Sequence, residues 1–357
     1  MKTKWIGTLG AGLAALVIGA CSTSGTTPTE PTGTIDAENA QAIGQPLSGS
    51  AESGQAIFDS FKEISSGMDF QGGSADIGMG RLLGAGRGHR LGNHQIHHNE
   101  VGTTTEHCNG GGTFTKSITQ VNSDGEILSG SMTFNDCVQN NTKLDGSVTA
   151  SSTESDSEFT GTVIVEDFQA ENSSDHAKLT INKLTLTGTM SDNTEERAFV
   201  FTAKGNGLKA IHGAHEASLT SVDLAISADT ASGESNITVK NTVGYIQNPD
   251  MKNAFNIVDV SFAKTAHASS LDVEAAFKST PSCFDGWLGI KTFRTITVSD
   301  GNITDGKITF RGESGSLTIE HNSNGTFTAS GAVDQTFADQ KEMMDYFDAN
   351  GSSCQAQ

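Results

Sequence analysis

From residue 113 to residue 332 the chain alternates apolar with polar positions, as in Leu317-Thr318-Ile319-Glu320 and Lys307-Ile308-Thr309-Phe310. A period of two places every second side chain on one face of an extended strand, so each run predicts a strand with one buried and one wet face. Successive runs fall at 113–121, 127–135, 144–150, 159–165, 177–186, 198–203 and 217–227. They continue at 235–243, 255–262, 270–277, 288–298, 307–310, 316–320 and 326–332. Turn formers separate many of them, including Asn122-Ser123-Asp124-Gly125, Asp300-Gly301, Asp305-Gly306, Glu313-Ser314-Gly315 and Asn322-Ser323-Asn324-Gly325. Strands joined by short polar turns pair as antiparallel neighbours. The pattern therefore predicts a mainly β fold: a long antiparallel meander forming a curled sheet, a sandwich or a soluble barrel. The resemblance between Gly112-Thr113-Phe114-Thr115 and Gly325-Thr326-Phe327-Thr328 reflects the shared composition of hairpins.

The period changes at both ends of this body. Ile57, Phe61, Ile64 and Met68 follow at helical spacing with Asp59, Lys62 and Glu63 between them, which predicts a short amphipathic helix over 56–68. Phe337, Met343, Met344 and Phe347 predict a C-terminal helix that ends at Asn350-Gly351. Residues 72–112 are Gly- and His-rich, keep no period and predict irregular chain.

Composition narrows the functional classes. Twenty-two Lys and Arg stand against 42 Asp and Glu, a formal charge of −20. Binding a phosphate backbone requires cations to displace counterions, so this balance argues against nucleic acid as a partner. Two Trp and two Tyr are too few for the aromatic girdles of a membrane-spanning barrel.

The first twenty residues comprise Lys2 and Lys4, an apolar stretch from Trp5 to Ile18 broken by glycines, and the small pair Gly19-Ala20. This is the plan of an export signal, too short for a spanning helix. Ile18-Gly19-Ala20-Cys21 resembles the lipobox of bacterial lipoproteins. The resemblance covers only the N-terminus. It implies cleavage before Cys21, acylation of that cysteine and, with Ser22 rather than Asp next in line, anchoring in the outer membrane of a Gram-negative cell, on the periplasmic face or the cell surface. The body is similar in style to uncharacterised β-rich envelope lipoproteins, a likeness that carries no activity. Residues 21–55, rich in Thr, Ser, Gly and Pro, read as the acylated cysteine and a flexible tether.

Four cysteines remain in an exported chain, Cys108, Cys137, Cys283 and Cys354, and predict two disulfides. A hairpin over 113–135 brings Cys108 opposite Cys137 and leaves Cys283 for Cys354. His89, His94, His97, His98 and His107 crowd one segment beside Glu100 and Glu106. Imidazoles this dense hold a divalent transition metal such as zinc, copper or nickel where two or three converge on one ion, but the spacing fixes no geometry, and a polar loop is the preferred reading over a metal site. His212, His215 and Glu216 form a smaller group. No nucleophile elbow, His-Glu-x-x-His, phosphate loop or dinucleotide fingerprint occurs in the sequence. The turns 122–126 and 348–351 supply only fragments of a calcium loop.

The resulting layout is a signal peptide at 1–20, a tether at 21–55, a helix and irregular segment at 56–112, the β body at 113–334, and a helix and disulfide-tethered tail at 335–357. The first functional expectation is a non-enzymatic outer-membrane lipoprotein, without cofactor, that binds a small-molecule, lipid or protein ligand or serves envelope structure, with lipid carriage as one version. The alternatives are a metal-binding lipoprotein using His89 to His107 and a secreted hydrolase whose carboxylates converge only in the fold.

Overall fold

The computed structural model describes residues 30–36, 39–40 and 101–351, apart from short stretches at 122–126, 140, 155–157, 175, 192–197, 230–231, 233, 248, 250–251, 266, 281–285 and 301. The expected helix over 56–68 lies outside the described residues.

Among the described residues sixteen strands form one antiparallel meander in sequence order, and the sheet is not closed. The strands are β1 (Gly102–His107), β2 (Thr113–Val121), β3 (Ile127–Gln139), β4 (Thr142–Glu154), β5 (Glu158–Asn172), β6 (Ala177–Ser191), β7 (Ala198–His212) and β8 (His215–Asp229). They continue as β9 (Glu234–Gln247), β10 (Lys252–Lys264), β11 (Ala268–Thr280), β12 (Leu288–Ser299), β13 (Asn302–Arg311), β14 (Ser316–His321), β15 (Phe327–Gly331) and β16 (Gln335–Phe337). A helix, α1 (Gln340–Gly351), closes the described chain. The mainly β meander is as the sequence predicts, and of the three architectures it is the open sheet. Two strands appear where no alternation marks them: β1, in the stretch read as irregular, and β16, which takes Phe337 out of the expected helix.

The chain divides into two compact units. The first holds β1 to β7 and the end of β8; the second holds the start of β8, β9 to β16, α1 and the N-terminal residues.

In the first unit the apolar face is continuous across strands. Ile118, Gly130, Ala150, Val163, Leu186 and Ala203 lie opposite one another along one row. Of these, Ile118, Ala150, Val163 and Ala203 are buried. The strands are too long for one uninterrupted alternation. In β5 the buried positions are odd through Val163 and Val165, then even at Phe168 and Ala170, with exposed Glu166 and Asp167 between. Asp167 sits at φ 48°. The same flip follows Asp136 (φ 50°) in β3, where Phe134 and Cys137 are both buried. One extra residue returns the apolar set to its own face, where a simple slip would turn it to solvent. Phe134 and Phe168 meet edge to face with ring centroids 6.1 Å apart.

Among its described residues the second unit holds two apolar clusters. Val239, Phe255, Ile257, Val260, Leu271 and Val273 form one across β9 to β11. Leu288, Phe310, Leu317, Phe327, Phe337 and Met343 form the heart of the other, under α1. Full burial of a side chain such as Leu317 stabilises the fold by about 1.5–3 kcal/mol relative to exposure. Asp339 caps α1, accepting a bond from the Glu342 amide at 2.9 Å while the Glu342 carboxylate accepts from the Ala338 amide at 2.7 Å.

Part of the stretch that composition assigns to the tether is held against this second cluster. The amides of Thr32 and Gly33 donate to the Trp287 carbonyl at 3.0 and 2.8 Å, Glu313 donates to Gly33, and Ile35 donates to Ser314. Thr34 and Ser314 form a parallel bridge. Ile35 and Ala40 are buried within the cluster. The approach needs glycine: a Cβ on Gly315, at φ 80°, would lie 1.9 Å from the Ile35 carbonyl oxygen.

Candidate functional site

The sites that the sequence singles out divide by whether they are described. Cys108 and Cys137 form a disulfide with Cα atoms 5.4 Å apart, and both are buried. It ties the loop before β2 to β3, reinforced by Gly110 donating to the Val138 carbonyl and Val138 donating to that of Gly111. His107 ends β1, is exposed and pairs with Thr113. Cys21, His89, His94, His97, His98, Cys283 and Cys354 lie outside the described residues. Among the described residues no group of three or more His, Cys, Asp or Glu is placed to hold a metal ion. In the second unit the Tyr245 hydroxyl donates to Glu216, and the Lys252 ammonium lies 3.8 Å from the centre of the Tyr245 ring. The His215 Nδ1 atom is buried and has no hydrogen-bond partner among the described residues.

Two polar arrangements emerge from the fold. The first is a field of hydroxyls on the face of the first unit opposite its apolar rows. Thr103, Ser117, Ser131 and Thr149 stand in register from β1 to β4, continuing through Ile164 to Thr185. A second row runs through Ser129, Ser151, Thr162, Thr187 and Thr202. Neighbours in a row stand about 4.8 Å apart across strands, and rows repeat about every 6.7 Å along them. Some hydroxyls bond across the ladder: Thr103 with Ser117 at 3.0 Å, Thr105 with Thr115 at 3.0 Å and Thr160 with Thr189 at 3.3 Å. Each hydroxyl donates once and accepts twice, so such a bond leaves capacity for a ligand.

The bulges divide this face chemically. On the hydroxyl side neither row carries a charge until Lys204, which lies opposite Thr185. At the bulges and beyond them ion pairs take over: Glu166 with Lys183 at 2.5 Å, Asp136 with Lys143 at 2.5 Å and Glu171 with Lys178 at 3.1 Å. The Asp136 carboxylate accepts a hydrogen bond from Lys143 and holds its ammonium pKa above the ordinary value.

The second arrangement is an open groove of about 510 Å³ in the second unit, lined by Arg294, Thr304, Asp305, Glu320, His321 and Asn322. Arg294 reaches Asp305 with Nε at 2.6 Å and Glu320 with Nη1 at 3.2 Å, while Nη2 donates to the carbonyls of His321 and Gly306 at 2.6 and 3.3 Å. Lys307 meets the other Glu320 oxygen at 2.8 Å. The hydrogen bond from Lys307 is the main cause that holds the Glu320 carboxyl below its ordinary pKa; burial opposes it, and the positive charges of Lys307 and Arg294 add to the lowering. With four acceptors already around its guanidinium, Arg294 staples β12, β13 and β14 together; it is not an open receptor for an anion.

The sequence reading missed both arrangements. The Thr and Ser positions alternate visibly, but which hydroxyls share a row depends on register across turns. Arg294, Asp305 and Glu320 come from three strands. Among the described residues no helix is long and apolar enough to cross a membrane. The protein is thus defined by its fold, an open all-antiparallel meander with a one-sided hydroxyl field. No protein-family model, no curated protein and no solved structure matches the chain.

Proposed function

We propose that the chain is an outer-membrane lipoprotein, held by acylated Cys21, that acts by binding rather than by catalysis. The observation that supports this reading is the uncharged hydroxyl field of the first unit, set in a protein of formal charge −20. A solvated strand face in an acidic protein carries charge by default, and the other side of the bulges does so. A periodic neutral field suits a neutral ligand that offers hydroxyls at many points, such as a polysaccharide of the envelope. Each hydrogen bond contributes only about 0.5–1.5 kcal/mol, so affinity would come from many contacts along a polymer.

The test is electrophoresis of the folded body, residues 22–357, through native gels with and without dextran. Retardation by dextran that is lost in S131K/T149K, with β-sheet content unchanged, supports the reading. Equal mobility with and without dextran, or retardation that survives the two charges, overturns the polysaccharide ligand. Native mass spectrometry of the same preparation checks the lipid-carriage version, for which an added acyl mass is the expected signature.

A further inference from the structure

The lipid anchor and the docked N-terminal segment together constrain how the second unit meets a bilayer. We infer that the end of this unit carrying Trp287 and the 312–315 turn faces the lipid surface and is held close to it. The inference rests on the reading of Cys21 as acylated.

The second unit has two distinct ends. Gly286 and Trp287, which lead into Leu288 of β12, and the 312–315 turn between Arg311 and Ser316 share one end, because Gly289 pairs with Arg311 and Phe277 with Leu288. The turns after Lys264 and Ser299 share the other, because Lys264 and Ser235 pair at the tip of β10 and Ala268 pairs with Ser299. Along β12, from Leu288 to Ser299, the ends stand roughly 36 Å apart at about 3.3 Å per residue.

The chain from the anchor docks at the first of these ends. Thr32 and Gly33 bond the Trp287 carbonyl, the Trp287 amide donates to the Thr32 hydroxyl at 3.0 Å, and Ile35 is buried beyond them. The glycines on the receiving side are fitted to this contact. A Cβ on Gly286, at φ 109°, would lie 2.7 Å from the Thr32 carbonyl, and one on Gly312 would lie 2.4 Å from the Gly33 carbonyl oxygen. Sequence thus reserves this end for the strap. From Cys21 to Pro31 there are ten residue steps. Ten residues reach about 34 Å when fully extended, and about 17 Å as a flexible coil. A free tether running to residue 55 would set the body at about twice the coil distance and would leave its orientation open.

Trp287 is the only Trp after the signal segment, since the other is Trp5. It therefore reports its own distance from lipid. The measurement is energy transfer from Trp287 to dansyl-labelled headgroups in phosphatidylethanolamine–phosphatidylglycerol vesicles carrying the natively acylated full chain. Two variants accompany it. One has about thirty Gly and Ser residues inserted after Ser24, which lengthens the leash without touching the strap. The other combines W287F with H267W, moving the reporter to the exposed turn at the far end.

The expected result is transfer several-fold stronger from Trp287 than from H267W, with the difference collapsing on the long leash. Equal transfer from both ends on the native leash, or transfer from Trp287 that ignores leash length, overturns the inference while leaving the anchoring intact. Mass spectrometry of the membrane-extracted protein separates the two failures. If Cys21 carries no acyl chains, the lipoprotein reading falls and this inference falls with it.

Discussion

Gly146 on β4 and Asp167 on β5 meet where both strands leave ordinary strand geometry, Gly146 at φ 102° and Asp167 at φ 48°. A Cβ on Gly146 would lie 2.3 Å from the Asp167 carbonyl oxygen. Asp167 interrupts the alternation of β5 while β4 keeps its even positions inward, and the ladder shifts by one residue between Leu144 opposite Ala170 and Val148 opposite Val165. The bulge thereby keeps a fifteen-residue strand apolar on one side throughout.

Gly146→Ala should therefore be costly. It demands a left-handed backbone of a residue with a Cβ and forces that Cβ against backbone, which has no rotamer by which to yield. The expected loss is about 2–4 kcal/mol, read from the urea midpoint of the transition that unfolds the first unit. Gly213→Ala is the control: it has a positive φ of 58° but open space around its Cβ, so only the backbone cost of roughly 1 kcal/mol remains. Equal losses at the two positions would show that the close approach to Asp167 contributes nothing.

The Cys108–Cys137 bond closes a loop of 29 residues' separation around the β2–β3 hairpin. Chain-entropy arguments give about 3.5 kcal/mol for a loop of this length. Paired replacement of both cysteines by Ala should lower the stability of the first unit by an amount of that order, and dithiothreitol should do the same to the native protein. If the second unit lost as much as the first, the effect would not be loop closure.

How the sequence encodes this fold is clearest at the bulges. Fourteen alternating runs correspond one to one with β2 to β15, because burial of one face writes period two into the chain. Two runs end early where the parity flips: 127–135 stops before Asp136, and 159–165 stops at Val165, whereas β5 continues through Asp167 to Asn172. The signal for continuation is a polar pair flanked by inward-facing residues of opposite parity, seen in Glu166-Asp167 and Asn182-Lys183 between apolar residues and in Lys240-Asn241 between Val239 and buried Thr242. β1, Gly-Thr-Thr-Thr-Glu-His, escapes notice because all its residues are exposed and no alternation is required of it. The docked segment is silent for another reason. Pro31-Thr32-Gly33-Thr34 has the composition of a linker, and Ile35 alone betrays a buried contact. The Arg294 staple is a property of three strands in register, which no local pattern carries.

That contact can be tested on its own. Ile35 is 3% exposed and packs in the cluster that includes Leu317 and Phe337. Ile35→Asp should detach the strap, because a carboxylate there has lost its water without gaining a partner. Brief proteolysis of the folded protein should then cut within residues 30–40, where the wild type resists, while the β13–β14 hairpin stays intact. Ile35→Val should leave the strap docked at a cost of about 0.5–1.5 kcal/mol. Equal cleavage of wild type and Ile35→Asp would show that burial of Ile35 does not hold the segment.

Glu320 ties pH to the stability of the second unit. Lys307 and Arg294 hold its folded pKa below the ordinary carboxyl value of about 4.3. A depressed carboxyl contributes stability that is complete above its unfolded pKa and is lost as pH falls through the folded one. The difference in unfolding midpoint between wild type and Glu320→Gln should thus be constant from about pH 5.5 upward and shrink below about pH 4. Its size should stay within about 1 kcal/mol, because the pairs are partly exposed, and it should diminish in concentrated salt. Protonation of Glu320 weakens its pairs with Arg294 and Lys307, which tie β14 to β12 and β13, so the ladder should loosen at β14. Hydrogen exchange at Thr318 and Ile319 that accelerates below pH 4 in wild type, but is already fast and pH-independent in Glu320→Gln after correction for intrinsic rates, is the expected observation. An unchanged midpoint difference down to pH 3 would show that the groove's ion pairs are ornaments of the surface.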